Sequence, residues 1–170
     1  LSEKYEFRSI HREEAEQAAE IEQICFPPHE ACSEKSMKTR IANAPELFMV
    51  AIDKDTGEIA GFLNGVATDE EIFRDEFFTD ISQHKPNGKN VMLLGLDVLP
   101  QYRGQGLARE IYLNNYQSEY GVNYNEAFSC LILTCLPEKV AMYEKMGLKD
   151  KGISGSSWGG EEWHEMTLTL

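Results

Sequence analysis

The stretch Leu96-Asp-Val-Leu-Pro-Gln-Tyr-Arg-Gly-Gln-Gly-Leu-Ala108 runs from a nearly all-apolar segment through a proline into a glycine-rich turn. Behind that turn the spacing predicts a helix, starting near Gly104 and placing Leu107, Ala108, Ile111, Tyr112 and Asn115 on one side. A turn of this kind presents free backbone amides at the positive end of a helix dipole, so its natural ligand is an anionic phosphate. Gly104 and Gly106 let the backbone come close, and Arg103 adds charge. Two familiar phosphate loops fail on the residues. No Gly-Lys-Ser/Thr follows, as a Walker A loop requires, and Arg109 stands where a dinucleotide fingerprint needs a third small residue.

Outward from the turn the chain alternates strands and helices. Upstream, Val91 to Val98 reads as a strand covered on both faces, and Leu47 to Ile52 with Ile59 to Ala67 as a hairpin around Asp53-Lys-Asp-Thr-Gly57. A first strand from Tyr5 to Ile10 precedes a helix from Glu13 to Cys25 with Ala18, Ile21 and Cys25 on one face, ended by Phe26-Pro27-Pro28. Ser33 fits the N-cap of a second helix reaching Ala42 and stopping before Pro45. Asp69 to Asp80 holds six acids and one arginine interleaved with Ile72, Phe73, Phe77 and Phe78, which predicts a short amphipathic helix. Downstream, Phe128 to Cys135 is a buried strand and Glu138 to Met146 a short helix ending at Gly147. In the tail, Met166, Leu168 and Leu170 alternate with Glu165, Thr167 and Thr169. The expectation is one α/β domain over residues 1–170, a mixed sheet of about six to seven strands flanked by about four helices.

Composition narrows the function classes. With 170 residues, 42% hydrophobic and 26% charged, the chain suits a folded domain. Twenty-nine acids against sixteen bases give a net charge of −13, which disfavours nucleic acid and anionic membranes as partners. Nineteen of the acids and ten of the bases fall at or before Asn90. No apolar run approaches the ~20 residues of a membrane span, and LSEKYEFRSI lacks a signal-peptide core. Cys25, Cys32, Cys130 and Cys135 are read as reduced thiols of a cytoplasmic protein, and His11, His29, His84 and His164 show no ligand spacing with them, so no metal is expected.

Arg103-Gly-Gln-Gly106-Leu-Ala108 resembles the Arg/Gln-x-x-Gly-x-Gly/Ala signature of the GNAT acetyltransferases, which cradles the pyrophosphate of acetyl coenzyme A. Leu93-Leu-Gly-Leu-Asp-Val98 is similar to the family's fourth strand, whose splayed end holds the pantetheine arm. Leu131-Ile-Leu-Thr134 is similar to its fifth strand, and Ala141-Met-Tyr-Glu-Lys-Met-Gly147-Leu to the Tyr-x-Lys/Arg-x-Gly-Phe stretch after it. Within the family, Glu20-Ile-Glu-Gln-Ile-Cys-Phe-Pro-Pro28, the Asp69-Glu-Glu insert and Trp163-His-Glu-Met166 resemble the arylalkylamine N-acetyltransferase branch and its bacterial relatives. Animal members of that branch carry a His-x-His pair on the fourth strand; Met92 and Leu94 stand here instead.

The resemblance implies a GNAT fold, acetyl-CoA as co-substrate, and coenzyme contacts from Leu96, Asp97, Val98, Arg103, Gly104, Gln105, Gly106, Leu107, Ala108 and Arg109. It implies direct acetyl transfer to a primary amine, arylalkylamine- or polyamine-like. An alkylamine with a pKa near 10.4 must lose a proton before it attacks, so a base is required. His29 and Glu30 follow Phe26-Pro-Pro in the loop that borders the branch's acceptor site, with an exposed polar loop as the plainer alternative. Tyr143 occupies the family's position for the general acid that protonates the leaving thiolate; the competing role is a core aromatic beside Val140 and Met146. No covalent intermediate is needed, so neither Cys130 nor Cys135 is assigned as a nucleophile. His164 shares the parity of Met166 and Leu168 and reads as a core histidine, and Asp97 as a structural partner. The acidic segment 69–80 reads as a solvated face, with attraction of a cationic acceptor as the alternative. Acetylation of a protein lysine or N-terminus, and a non-catalytic coenzyme-A-binding regulatory domain, stay open as rival functions, as does homodimerisation.

Overall fold

Runs of five to ten residues, most apolar in the central strands, make the strands of this protein, whose computed structural model describes residues 3–113 and 124–170. The strands are β1 (Tyr5–Ser9), β2 (Met49–Asp53), β3 (Ile59–Thr68), β4 (Asn90–Val98), β5 (Cys130–Cys135), β6 (Lys149–Ile153) and β7 (His164–Thr169). They form a seven-stranded sheet in the order β1-β2-β3-β4-β5-β7-β6. Pairs β1/β2, β2/β3, β5/β7 and β6/β7 are antiparallel and β4/β5 is parallel, so the sheet is mixed as expected. Two compact units divide the chain, Leu1–Asn64 with Gly95–Tyr124 and Gly65–Leu94 with Asn125–Leu170.

In the first unit β2 and the 59–64 part of β3 are buried at every position, with the Phe48 and Phe62 rings 5.4 Å apart. Helix α1 (Ala15–Cys25) buries Ala15, Ala18, Ala19, Ile21 and Glu22, and α2 (Glu34–Asn43) buries Met37, Arg40 and Ile41. Ser33 caps α2 as the sequence predicts, its Oγ accepting from the Ser36 N–H at 3.1 Å. The first helix starts two residues later than expected because Arg12–Glu14 forms a 3-10 turn. Helix α4 (Leu107–Leu113) begins three residues after Gly104, since Gly104 and Gly106 have φ of 81° and 77°, outside the helical region. The expected helix position of Asn115 lies outside the described residues.

The second unit is built on Val66, Phe73, Phe77, Met92, Leu94 and Ile132. Here the amphipathic helix expected over 69–80 shrinks to α3 (Glu76–Thr79), one turn. The acids of the segment are used locally instead. Glu70 takes a bidentate bond from Arg74, Asp75 accepts from Ser156 and Ser157, Asp69 pairs with Lys85, and Asp80 caps Ser82. Phe73 and Phe77 are buried while Ile72 is exposed, so the apolar residues do not share one helical face. A one-turn helix α5 (Tyr124–Ala127) precedes the Phe128–Cys135 strand, which starts at Cys130, and the Glu138–Met146 helix divides into a 3-10 turn and α6 (Val140–Lys145). Strand β6 was not anticipated: its residues alternate between exposed and half-buried, and with lysines at Lys149 and Lys151 it fits the rim of a sheet. All four cysteines are free, and burial pushes the Cys135 thiol up to about 12, which suits an inert side chain. No helix among the described residues is long and apolar enough to cross a membrane.

Candidate active site

The parallel ladder between β4 and β5 covers three pairs, Asn90/Cys130, Val91/Leu131 and Met92/Ile132. The end of β4 then turns at Leu99, whose N–H donates to Ala60 O at 2.9 Å, and a 3-10 turn over Pro100–Tyr102 leads to the glycines. Positive φ at Gly104 and Gly106 is what glycine supplies here; a side chain at either would meet no atom within 4 Å, so space is not the constraint. Arg103, Gly104, Gly106 and Arg109 are exposed, and the first helical bond runs from the Glu110 N–H to Gly106 O at 3.1 Å, which leaves the amides of the turn ahead of it.

Bonds of three side chains, Tyr102, Tyr5 and Arg103, fix this turn within its unit. Tyr102 is buried and its hydroxyl lies 2.8 Å from Asp53 Oδ2 and 2.9 Å from Glu58 Oε2. Burial and these carboxylates push the Tyr102 phenol up to about 12, so it stays a donor at any working pH. The Tyr5 hydroxyl donates to Gln105 Oε1 at 3.0 Å, and Tyr5 pairs with Asp53 across β1 and β2, so one rung of the sheet carries both anchors. Arg103 Nε donates to Val98 O at 2.9 Å, and Cys25 Sγ lies 3.4 Å from the same oxygen. Gln105 is thereby engaged through its side chain, so what it offers a phosphate is its main chain. None of Tyr5, Asp53 or Tyr102 was singled out from the sequence, because tyrosines and an aspartate at strand ends and turns carry no spacing signal.

Leu96 and Val98 are half-buried, while Asp97 between them is buried on the opposite side of the strand against Glu22. Asp97 thus has its side chain in the unit's interior, consistent with its reading as a structural partner. Glu22 is also buried, its Oε2 accepting the Cys32 N–H at 2.9 Å. The signal for Glu22 was its place three residues after Ala19 and four after Ala18, on the apolar face of α1. The loop between α1 and α2 brings the two base candidates together, His29 Nε2 lying 3.3 Å from Glu30 Oε2, with His29 exposed and Glu30 buried. The N–H groups of Glu30 and Ala31 both donate to Pro27 O, which closes the loop tightly behind the prolines.

In the second unit Tyr143 is half-buried on α6, as are Val140 and Met146, so that face is not a sealed core. The Tyr143 carbonyl accepts from Met146 and Leu148 N–H at 3.1 and 3.0 Å, ending the helix at Gly147. His164 Nδ1 lies 3.1 Å from Asp150 Oδ1, which agrees with a satisfied structural histidine.

The family model of the Acetyltransferase (GNAT) family matches residues 15–148. The chain belongs to the GNAT acetyltransferase family. It is therefore an acyltransferase, and acyl transfer from acetyl coenzyme A is the family's activity. Solved GNAT structures share its fold over nearly the whole chain. The loading GNATL domain of CurA from Lyngbya majuscula superposes with a TM-score of 0.74 at 14% identity, covering 97% of each chain. The GphF GNAT-like decarboxylase in complex with isobutyryl-CoA gives 0.70 at 14% identity, covering 96% of this chain and 98% of that one. The ribosomal-protein-S18-alanine N-acetyltransferase from Escherichia coli gives 0.64 at 19% identity, covering 98% and 94%. At such identities the likeness is one of fold. No curated protein sequence matches the chain.

The chain's own residues fit the coenzyme that GNAT proteins use. Exposed Arg103 and Arg109 supply positive charge in a protein of net −13, and the glycine turn between them exposes main-chain donors. The turn is held by side-chain bonds to its own unit, so its donors are in place before any ligand arrives, which lowers the ordering cost of binding.

Proposed function

We propose that this GNAT protein is an acetyl-CoA-dependent N-acetyltransferase that acts by direct transfer to a primary amine of a small, arylalkylamine- or polyamine-like molecule, and that residues 1–170 form one such domain. The observation that carries the reading is the anchored turn Arg103–Ala108, with positive φ at Gly104 and Gly106, following the strand end Leu96–Val98. Support for the arylalkylamine-like branch is the sequence resemblance around Phe26-Pro27-Pro28 and Trp163-His-Glu-Met166.

Acetyl coenzyme A supplies an activated thioester. Arg103, Arg109 and the amides of 104–108 bind its phosphates, and main-chain N–H groups near Leu96 and Val98 hydrogen-bond the carbonyl oxygen as negative charge develops there. Glu30, with His29 beside it, takes a proton from the acceptor ammonium and so frees the lone pair that attacks. Tyr143 donates its phenolic proton to the departing sulfur, whose conjugate acid has a pKa near 8.5 against about 10 for the phenol, and regains a proton from solvent. The four free cysteines support a reducing, cytoplasmic setting.

Product mass spectrometry after incubation with acetyl-CoA and a small primary amine tests this reading. The acetylated amine is expected, with no acetyl group left on the protein. Acetylation confined to peptide N-termini or lysines would move the acceptor class to proteins, and coenzyme binding without any product would leave a regulatory binding domain.

A further inference from the structure

Three buried polar side chains converge on Gly95. Glu22 on α1, Asn64 on β3 and Asp97 on β4 are each no more than 4% exposed. Among the described residues, Glu22 Oε1, Asn64 Nδ2 and both Asp97 carboxyl oxygens have no hydrogen-bond partner. A methyl group at Gly95 would sit 3.1 Å from Asn64 Nδ2, 3.3 Å from Asp97 Oδ1 and 3.6 Å from Glu22 Oε1, so the absence of a side chain there is what lets these groups gather. A buried acceptor without a donor is costly, and two charged carboxyls side by side repel one another as well. A single proton removes the repulsion and gives Glu22 Oε1 a donor, the O–H of Asp97.

Among the described residues, the Cys25 thiol on α1 and the Arg40 guanidinium on α2 also act on Asp97. Arg40 Nη1 is directed to Asn64 Oδ1 at 3.0 Å. Burial, and then the Glu22 carboxyl, push Asp97 well above the ordinary carboxylate range, against the pull of Arg40. The other Glu22 oxygen accepts the Cys32 N–H at 2.9 Å, at the end of the loop that carries His29 and Glu30.

We propose that Asp97 is a protonated, uncharged acid that donates its hydrogen bond to Glu22, and that the pair acts as positioning residues, fixing the loop of His29 and Glu30 for the amine acceptor. The acceptor part rests on the function proposed above; the proton does not.

Infrared spectroscopy of the full chain, wild type against Asp97→Asn, reads the protonated carboxyl stretch. The expected result is a protonated-acid band at neutral pH that fades as the pH is raised and is missing from Asp97→Asn. Absence of that band in the wild type overturns the proposal. Glu22→Gln removes the neighbouring charge and should shift the fading of the band to lower pH; an unchanged midpoint overturns the pairing. In steady-state assays the amine KM of the wild type, relative to Asp97→Asn, should rise about tenfold as the acid ionises and the loop loosens, the effect of losing one charge-assisted bond, while coenzyme KM holds. A flat ratio overturns the positioning role. Absence of turnover with every amine overturns the proposed function and the positioning role with it, and the band still decides the proton.

Discussion

Tyr102 joins the glycine turn to two carboxylates at once, so Tyr102→Phe leaves Asp53 and Glu58 without their shared donor and frees the turn from β2. Losing one hydrogen bond to a charged group corresponds to about 1.5–3 kcal/mol. If about 1.4 kcal/mol of that reaches the bound state, coenzyme A should bind roughly tenfold more weakly to Tyr102→Phe by isothermal titration calorimetry, with kcat at saturating coenzyme retained. Unchanged affinity would mean the anchor serves stability only. Tyr143→Phe should do the opposite and lower kcat by a factor of about 10²–10⁴ with coenzyme affinity kept, as expected when a general acid is removed. At this scale the sequence spoke clearly where chemistry imposes a backbone shape: Gly104 and Gly106 were legible because few residues tolerate their φ. Glu22, Tyr5 and Asp53 were not, since their roles arise from partners distant in the chain: Asp97 for Glu22, Gln105 for Tyr5 and Tyr102 for Asp53.

Helices and strands were legible in proportion to their periodicity. The Ser33 cap followed from a local pattern, and Ser33→Ala should lower the stability of the fold by about 1 kcal/mol, read as a shift in denaturant midpoint with an unaltered slope. The segment 69–80 misled because its alternation of acids and aromatics matches a helix. Phe73 and Phe77 instead pack into the second unit's core, and the carboxylates pin the chain to Ser156, Ser157 and Lys85. Strand β6 escaped for the reverse reason. Its stretch Lys149-Asp-Lys-Gly-Ile153 has one apolar residue, and it is a strand only because β7 offers an edge with which to pair.

At the scale of the whole chain, Asp150 and Asp97 push stability in opposite directions with pH. Asp150 is held below the ordinary carboxylate range by the Gly152 N–H and by His164, so its contribution is present above its unfolded pKa and is lost as pH falls through the folded one. Asp97 is raised in the folded state, so the native protein binds the extra proton. Its contribution is complete below the unfolded value of about 3.9 and is lost as pH rises through the folded pKa. Asp97→Asn should therefore flatten the alkaline fall in denaturant midpoint; an unaltered profile would show that Asp97 is ionised throughout. The net charge of −13, mostly before Asn90, bears on the acceptor too: if it draws cationic amines, their KM should rise with added salt while that of coenzyme A responds oppositely or little. An indifferent amine KM would reduce the charge to a matter of solubility. The function itself is decided by release of free coenzyme A thiol from acetyl-CoA, followed continuously across a panel of arylalkylamines, polyamines and N-terminal peptides. Saturable release with the small primary amines is the expected result, and tight coenzyme binding with no release above background for any of them would contradict it.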